Sequence, residues 1–463
     1  MSSTASNYDM FKLTAGQVLS SLAAVLALGA AIPALTQSFV STIPFLLITI
    51  AYGIMMFASS YVEEEQHFWY WATSGWLALL SLKGYDIIHR SCIFLTINRF
   101  SRYAESSTLL NLGAFGLLGS LRVVRRWNQT GQKFAGEPDI ARTFLSTHIE
   151  LLWSLIAATY IWNAHTLRTL GFPRLPRLTA TVIAVVLMIL AVTFKLAFTN
   201  EDAPELISGR AITILRLSSG WDLLTRARAV FQSIAICLVF TIGCEFIYAT
   251  KHVPGLRSSM LSTLCMVNAT DSLIGTIRTI HDLLVLLLMT QSRAANIPLL
   301  LIFQAQLSLL ENLNLSPIEI STTSLLLQYA SFFAFSGSNA ISSIDLSSAY
   351  NGVSGYNVLA VGLLTFVSNW SGPIFWTSAT NILLLRLHRK GAQNVLKQHL
   401  SLLTLFVTIS LVGVMVACTV LRTHLFIWTV FSPKYLYNMA WAFGQHLLIN
   451  VGLGSFLFWL GCR

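Results

Sequence analysis

The sequence predicts an all-α fold, a polytopic transmembrane helical bundle of about eleven spans. Three observations carry that prediction. Of 463 residues only 10% are charged, against roughly 25% in ordinary soluble domains. Hydrophobic residues make up 55% and aromatic residues 11%, which leaves too few charges to clothe a soluble chain of this length. Apolar runs near the roughly 20 residues needed to cross a bilayer recur along the whole chain. Disordered, collagenous and ordinary cytosolic classes are excluded.

A short N-terminal segment, 1–14, precedes a multi-span region, 15–463. In that segment Asp9 balances Lys12, and the first run, 15–36, is long for a cleaved signal peptide, so a retained helix is favoured. Runs 40–59 and 67–83 follow, then a weak one at 106–121. Clear runs return at 144–163, 178–198 and 229–249. From 257 to 386 the chain is almost continuously apolar, cut by Pro298, Pro317 and Pro373. Crossings are expected there near 274–291, 296–310, 321–336 and 357–385, the last interrupted at Gly372-Pro373. Runs 399–421 and 437–460 complete the set. The longest stretch without a clear span, 84–143, is too short and broken for a soluble catalytic core.

The formal net charge is +10, from 29 Lys plus Arg against 19 Asp plus Glu. In a membrane protein such an excess points to cytoplasmic loops, not to nucleic acid. Segment 165–177 carries Arg168, Arg174 and Arg177, and segment 386–397 carries Arg386, Arg389, Lys390 and Lys397, both without an acid. Both are expected on the cytoplasmic face. Glu201, Asp202 and Glu205 lie one crossing beyond the first of them, on the opposite side. If 106–121 crosses, 60–66 and 122–143 share that outer or luminal side. The six cysteines form no CxxC pair, no disulfide framework and no zinc-like cluster.

Three polar clusters stand out, at 59–71, 122–143 and 332–357. In the first, Glu63, Glu64 and Glu65 precede His67 and an aromatic run through Trp71. Adjacent carboxylates repel unless a cation shares the site. A solvated loop with an interfacial aromatic anchor accounts for the pattern; so does a receptor for an amine or metal ion with His67 as titrating neighbour. The second cluster sets Arg125, Arg126, Asn128, Gln132 and Lys133 beside Glu137 and Asp139, with Gly131, Gly136 and Pro138 shaping a loop. Such cations suit lipid phosphate, or form a juxtamembrane charge collar. The third is dense in Ser, Asn and Gly around Asn339, Asp345 and Asn351; irregular backbone at membrane depth survives only where protein or a water-filled cavity covers it, which favours a functional loop. Within the spans, Glu150, Lys195, Glu245, Arg278, His281 and Asp282 are costly ionisable groups and therefore site candidates. Arg278 and Asp282, four apart on one helical face, are placed to neutralise each other. No GxSxG, HExxH or P-loop pattern occurs, nor any spread of Asp and His suited to a two-metal phosphate-transfer site.

The run Ser60-Tyr61-Val62-Glu63-Glu64-Glu65 followed by Phe68-Trp69-Tyr70 resembles the membrane segment of the GPI ethanolamine phosphate transferases. Arg126 to Lys133 with Ala135 to Ile140, and Phe333 to Asn357, resemble the same family in the same order, most of all its fungal branch acting on the second mannose. The resemblance implies an endoplasmic reticulum membrane protein of GPI-anchor synthesis. It implies transfer of phosphoethanolamine from phosphatidylethanolamine to a mannose of a GPI-precursor lipid, and a small multi-span stabilising subunit as partner. In that family the chemistry belongs to a luminal domain of the alkaline phosphatase type, with a threonine nucleophile and a divalent metal, zinc. That domain has no counterpart here, so no catalytic residue is carried over and no cofactor is expected in this chain. The expected role is a C-terminal membrane half that positions phospholipid and glycolipid. Arg125, Arg126 and Lys133 would favour phosphate, Glu63–Glu65 an ethanolamine or other cation, and Asn339, Asp345 and Asn351 the lipid path. An ion-coupled transporter or lipid translocase using Glu150, Arg278 and Asp282, and a non-catalytic membrane scaffold, are the competing expectations.

Overall fold

A computed structural model describes residues 2–58, 62–94, 100–128, 138–173, 175–207, 209, 212–213, 220–251, 272–337, 343–420 and 432–462. Among them every regular element is helical, as the apolar runs require. In chain order these are α1 (Ser2–Leu35), α2 (Phe39–Ala58), α3 (Val62–Phe94) and α4 (Phe100–Trp127), then a short helical turn at Ile140–Thr147. Next come α5 (Ile149–Thr169), α6 (Arg177–Asp202), α7 (Leu223–Lys251), α8 (Ser272–Gln291), α9 (Ile297–Glu311) and α10 (Pro317–Ala334). Then follow α11 (Val358–Asn369), α12 (Ser371–Arg389), α13 (Val395–Val420), α14 (Ser432–Ala440), a π-helical stretch Trp441–Leu453 and α15 (Gly454–Cys462). The 2–14 segment is not a separate element but the start of α1.

Among the described residues seven helices are long and apolar enough to cross a membrane, or up to nine if two bent pairs each count as one span. The bends are 111° before α5 and 75° between α11 and α12. The second break falls at Trp370, ahead of the Gly372-Pro373 pair named from the sequence. Pro373 lies in the first turn of α12, where its missing N–H would have had no intrahelical partner anyway.

By internal contacts the chain forms two compact units. The first comprises Met1–Gly136, Ala305–Ser343 and Leu387–Leu453. Its centre is α10, which carries only Glu319 and Gln328 besides apolar and hydroxylated residues and is buried at every position from Ile318 to Ala334. It packs against α3, α13, α4, α2 and α1. Pro317 opens α10, and buried Glu319 ties that end down, accepting from Ser316 N and from Ser41 Oγ, both at 2.8 Å. α13 runs closely along α1 and α2. A Cβ placed on Gly413 would lie 2.5 Å from the Gly53 carbonyl oxygen, the small-residue approach by which helices pack within lipid. Gly413→Ala is therefore expected to destabilise the unit by about 1–3 kcal/mol, read as a lowered melting temperature in detergent; an unchanged melting curve would mean the two helices separate freely.

The second unit comprises Glu137–Gln304, Ile344–Arg386 and Gly454–Arg463. α8 packs against α5, α6, α7, α11 and α15. α5 and α6 form an antiparallel hairpin, fastened at one end by Trp153 Nε1 donating to Leu206 O at 2.7 Å. That end carries Glu201, Asp202 and Glu205, the other Arg168 and Arg177, so the charge asymmetry read along the sequence is realised within one hairpin. Ahead of α7, hydrogen bonding from Thr225 holds the exposed Asp222 carboxyl below the usual carboxylate range.

Candidate functional site

In the first unit the start of α3 meets the end of α4, and both reach the C-terminal turns of α10. Arg125 Nη2 lies 3.2 Å from His67 Nδ1. Arginine only donates, so Nδ1 accepts and the neutral imidazole carries its proton on Nε2. The same guanidinium stands 5.8 Å from the centroid of the Trp71 ring. Asn128 Nδ2 donates to Ala334 O at 2.6 Å, and Tyr70 OH to Ala330 O at 3.3 Å. Asn128 thereby satisfies the Ala334 carbonyl that the end of α10 leaves open, and Tyr70 adds a second donor one turn earlier.

The acidic run divides by burial. Glu64 is exposed, whereas Glu65 is 3% exposed and accepts from Tyr52 OH at 2.7 Å. Lys434, also buried, reaches Met55 O at 3.3 Å and lies within electrostatic range of Glu65 and Glu64. The cation demanded by adjacent carboxylates is thus supplied from α14. Beneath them Trp69 stacks on Tyr329 (3.9 Å, 7°), and Tyr329 on Trp441 (4.1 Å, 12°), while Tyr52 stacks on Phe406 at 5.2 Å. Rings from α3, α10 and the π-helical stretch therefore form one rigid column under the charged groups. Arg126 is exposed beside them. The Glu63 side chain, Gln132, Lys133, Glu137 and Asn339 lie outside the described residues.

The remaining candidates belong to the second unit. Asp345 makes a two-pronged ion pair with Arg293, 2.8 Å from Nε and 2.9 Å from Nη2. Its backbone N donates to Asn369 Oδ1 at 2.8 Å, and Ser347 N donates to Asp345 Oδ1 at 3.0 Å. Asp345 thereby folds the polar loop against the end of α11. Asn351 is buried in that loop. Asp139 caps the turn before α5, accepting from Arg142 N at 2.6 Å and Thr143 N at 3.3 Å. Lys195 is fully buried, donates to Thr290 O at 3.0 Å and Ser292 O at 2.7 Å, and lies 4.6 Å from the Phe198 ring centroid. It closes the C-terminus of α8. Of the other ionisable candidates, Glu150 is exposed in the first turn of α5, and His281 lies 2.8 Å from Ser378 Oγ and 3.1 Å from Gln304 Nε2. Glu245 accepts from Thr276 Oγ1 at 2.5 Å, and Asp282, also buried, receives Asn163 Nδ2 on its backbone oxygen at 3.0 Å.

Tyr52, Lys434 and Arg293 were not singled out by the sequence, because each acquires its role from a partner on another element. Among the described residues no group of three or more His, Cys, Asp and Glu side chains could hold a metal ion. The divalent metal implied by the resemblance has no fitting donor set among them.

The sequence profile described as the GPI ethanolamine phosphate transferase membrane region matches residues 5–463. The chain belongs to this family. It is 38% identical over 453 residues to GPI ethanolamine phosphate transferase 2 of Aspergillus oryzae, covering 97% of this chain and 46% of that protein. Proteins of the same name from Aspergillus fumigatus and Yarrowia lipolytica are 38% and 32% identical over 462 and 451 residues. They cover 97% and 89% of this chain, and 46% and 48% of their own lengths. The chain thus spans about half the length of these GPI ethanolamine phosphate transferases. No solved structure matches it.

Proposed function

We propose that this chain serves as the membrane part of an enzyme that transfers phosphoethanolamine from phosphatidylethanolamine to the second mannose of a GPI-precursor lipid, in the endoplasmic reticulum membrane. The observation that carries the proposal is the convergence, at one end of the first unit, of groups from two sequence clusters far apart in the chain. Arg126 stands exposed beside the Arg125–His67 pair, with Glu64 exposed on the neighbouring helix and the aromatic column beneath. An ethanolamine phosphate headgroup carries one anionic and one cationic group, and this end offers an exposed partner for each. Buried Glu65 and Lys434 balance one another and hold the helices in register, whereas Glu64 and Arg126 are exposed to solvent. The catalytic step itself belongs to a separate metal-dependent domain.

In this proposal α3, α8 and α10 also cross the bilayer, which with the seven apolar helices and the two bent pairs makes twelve spans, close to the number expected from the sequence. Asp345 and Asn351 shape a loop along the lipid path, and a small multi-span subunit docks on the bundle. The test is complementation. The chain is co-expressed with a separate catalytic domain in cells lacking the enzyme, and phosphoethanolamine on the GPI glycan is measured by mass spectrometry. Arg126→Glu is expected to reduce modification by about tenfold, the equivalent of one charge-assisted contact, while Arg126→Lys retains most of it. Full modification by an expressed, membrane-inserted Arg126→Glu protein would remove the phosphate role.

A further inference from the structure

The connection between α5 and α6 borders an open cavity of about 300 Å3 lined by the exposed residues His165, Arg168, Thr169 and Arg177. Three of its four lining side chains are basic. Among the described residues none of the three has an acidic or hydrogen-bonding partner for its side chain. The Thr169 hydroxyl donates to His165 O at 2.7 Å, so the donors left to the cavity are the two guanidinium groups and the imidazole.

The cavity is built on a pinned connection. Gly171 packs so tightly that a Cβ there would lie 2.6 Å from Leu167 O. Phe172, buried, adopts φ 44°, a left-handed conformation that an aromatic residue keeps only when its surroundings enforce it. Its backbone N donates to Thr279 Oγ1 on α8 at 2.7 Å, and its carbonyl accepts from Leu175 N at 2.9 Å. The backbone that brings these residues around the space is therefore fixed before any ligand arrives.

Helix electrostatics account for only part of this arrangement. His165 and Arg168 occupy the last turns of α5, where the dipole favours cations. Arg177 is the first residue of α6, where the same dipole disfavours one, and no side chain caps that helix start. A helix N-terminus without a side-chain cap and three unpaired basic side chains around one cavity would be balanced by an anion.

We propose that this cavity binds a phosphomonoester group, presented either by a membrane lipid headgroup or free in solution. The doubly charged monoester can engage both arginines, each through two parallel N–H···O bonds, which a phosphodiester buried in its own lipid cannot do as fully. By its basic character the segment belongs to the cytoplasmic face, opposite the end of the hairpin that carries Glu201 and Asp202.

The full chain is reconstituted in nanodiscs of phosphatidylcholine alone, with phosphatidic acid, or with phosphatidylglycerol, and retained lipid is counted by native mass spectrometry. Phosphatidic acid is expected to be retained over phosphatidylglycerol, and Arg168→Gln and Arg177→Gln each to weaken retention about fivefold. Lys397→Gln, at an exposed cation outside the cavity, is expected to change nothing. Calorimetric titration with inorganic phosphate in detergent separates the sources. Binding sensitive to the same arginines assigns a free anion, and retention of phosphatidic acid without phosphate binding assigns the lipid. Equal losses in all three variants, or indifference to both arginines in monodisperse protein, would overturn the proposal.

Discussion

Lys195→Met is expected to destabilise the second unit by roughly 2–4 kcal/mol, through two buried carbonyl groups left without a donor. Apolar replacements of buried ion pairs are often neutral, because both partners can be exchanged for hydrocarbon. Here the partners are Thr290 O and Ser292 O, backbone groups at the end of α8 that no substitution removes. Lys195 is 0% exposed, so water has no access to replace it. Fluorescence-detected size-exclusion after a temperature ramp reads the effect as a lower melting temperature. A wild-type melting curve for Lys195→Met would mean that α8 is closed by something other than this ammonium group.

The second large effect concerns the charged end of the first unit. Glu65→Ala deprives Tyr52 OH of its acceptor and leaves Lys434 buried beside one carboxylate fewer, an expected loss of about 3–5 kcal/mol. Lys434→Met alone leaves the Glu65 carboxylate facing the Tyr52 hydroxyl and is expected to be damaging too. The double variant should be more stable than the sum of the singles by about 1–3 kcal/mol, since the uncompensated charge is then gone. Strict additivity in such a cycle would dissolve the electrostatic link between α3 and α14.

The helices themselves were legible in the sequence because runs of apolar residues leave lipid or protein as the only solvents. What the runs do not encode is depth. α10 and α6 read alike as apolar segments, yet α10 is enclosed on every side and α6 exposes Val182, Val185, Val186 and Ile189 on one face. Gly372-Pro373 marked the break in the α11–α12 pair only to within two residues, because a proline is accommodated inside the first turn of a helix as readily as before it.

The candidate site followed the same rule. Glu65, His67, Arg125 and Asn128 drew notice because charged and amide groups are scarce in this chain. Their pairing did not, since Arg125 and His67 are 58 positions apart and Asn128 and Ala334 are 206 apart. Asp345 stood out in a run of small polar residues, whereas Arg293 looked like an ordinary loop cation until the bidentate pair joined them. A carboxylate triplet implies a nearby cation on electrostatic grounds, and Lys434 supplies one. Only the fold could identify which lysine it was.

Each of the two units is assembled from three separate stretches of chain, the last being Leu387–Leu453 for one and Gly454–Arg463 for the other. Synthesis proceeds from the N-terminus, so α1 and α2 must wait in the membrane until α13, their main packing partner, has been translated. The second unit stays open still longer: Gly461, in α15, packs against Leu385 and Ile277. Buried polar groups such as Glu319 and Lys195 therefore spend the interval before closure in contact with lipid, insertase or chaperone. The biogenesis of this protein is expected to depend on factors that shelter unfinished helices, and its turnover to be sensitive to ribosomal stalling before α15 is complete.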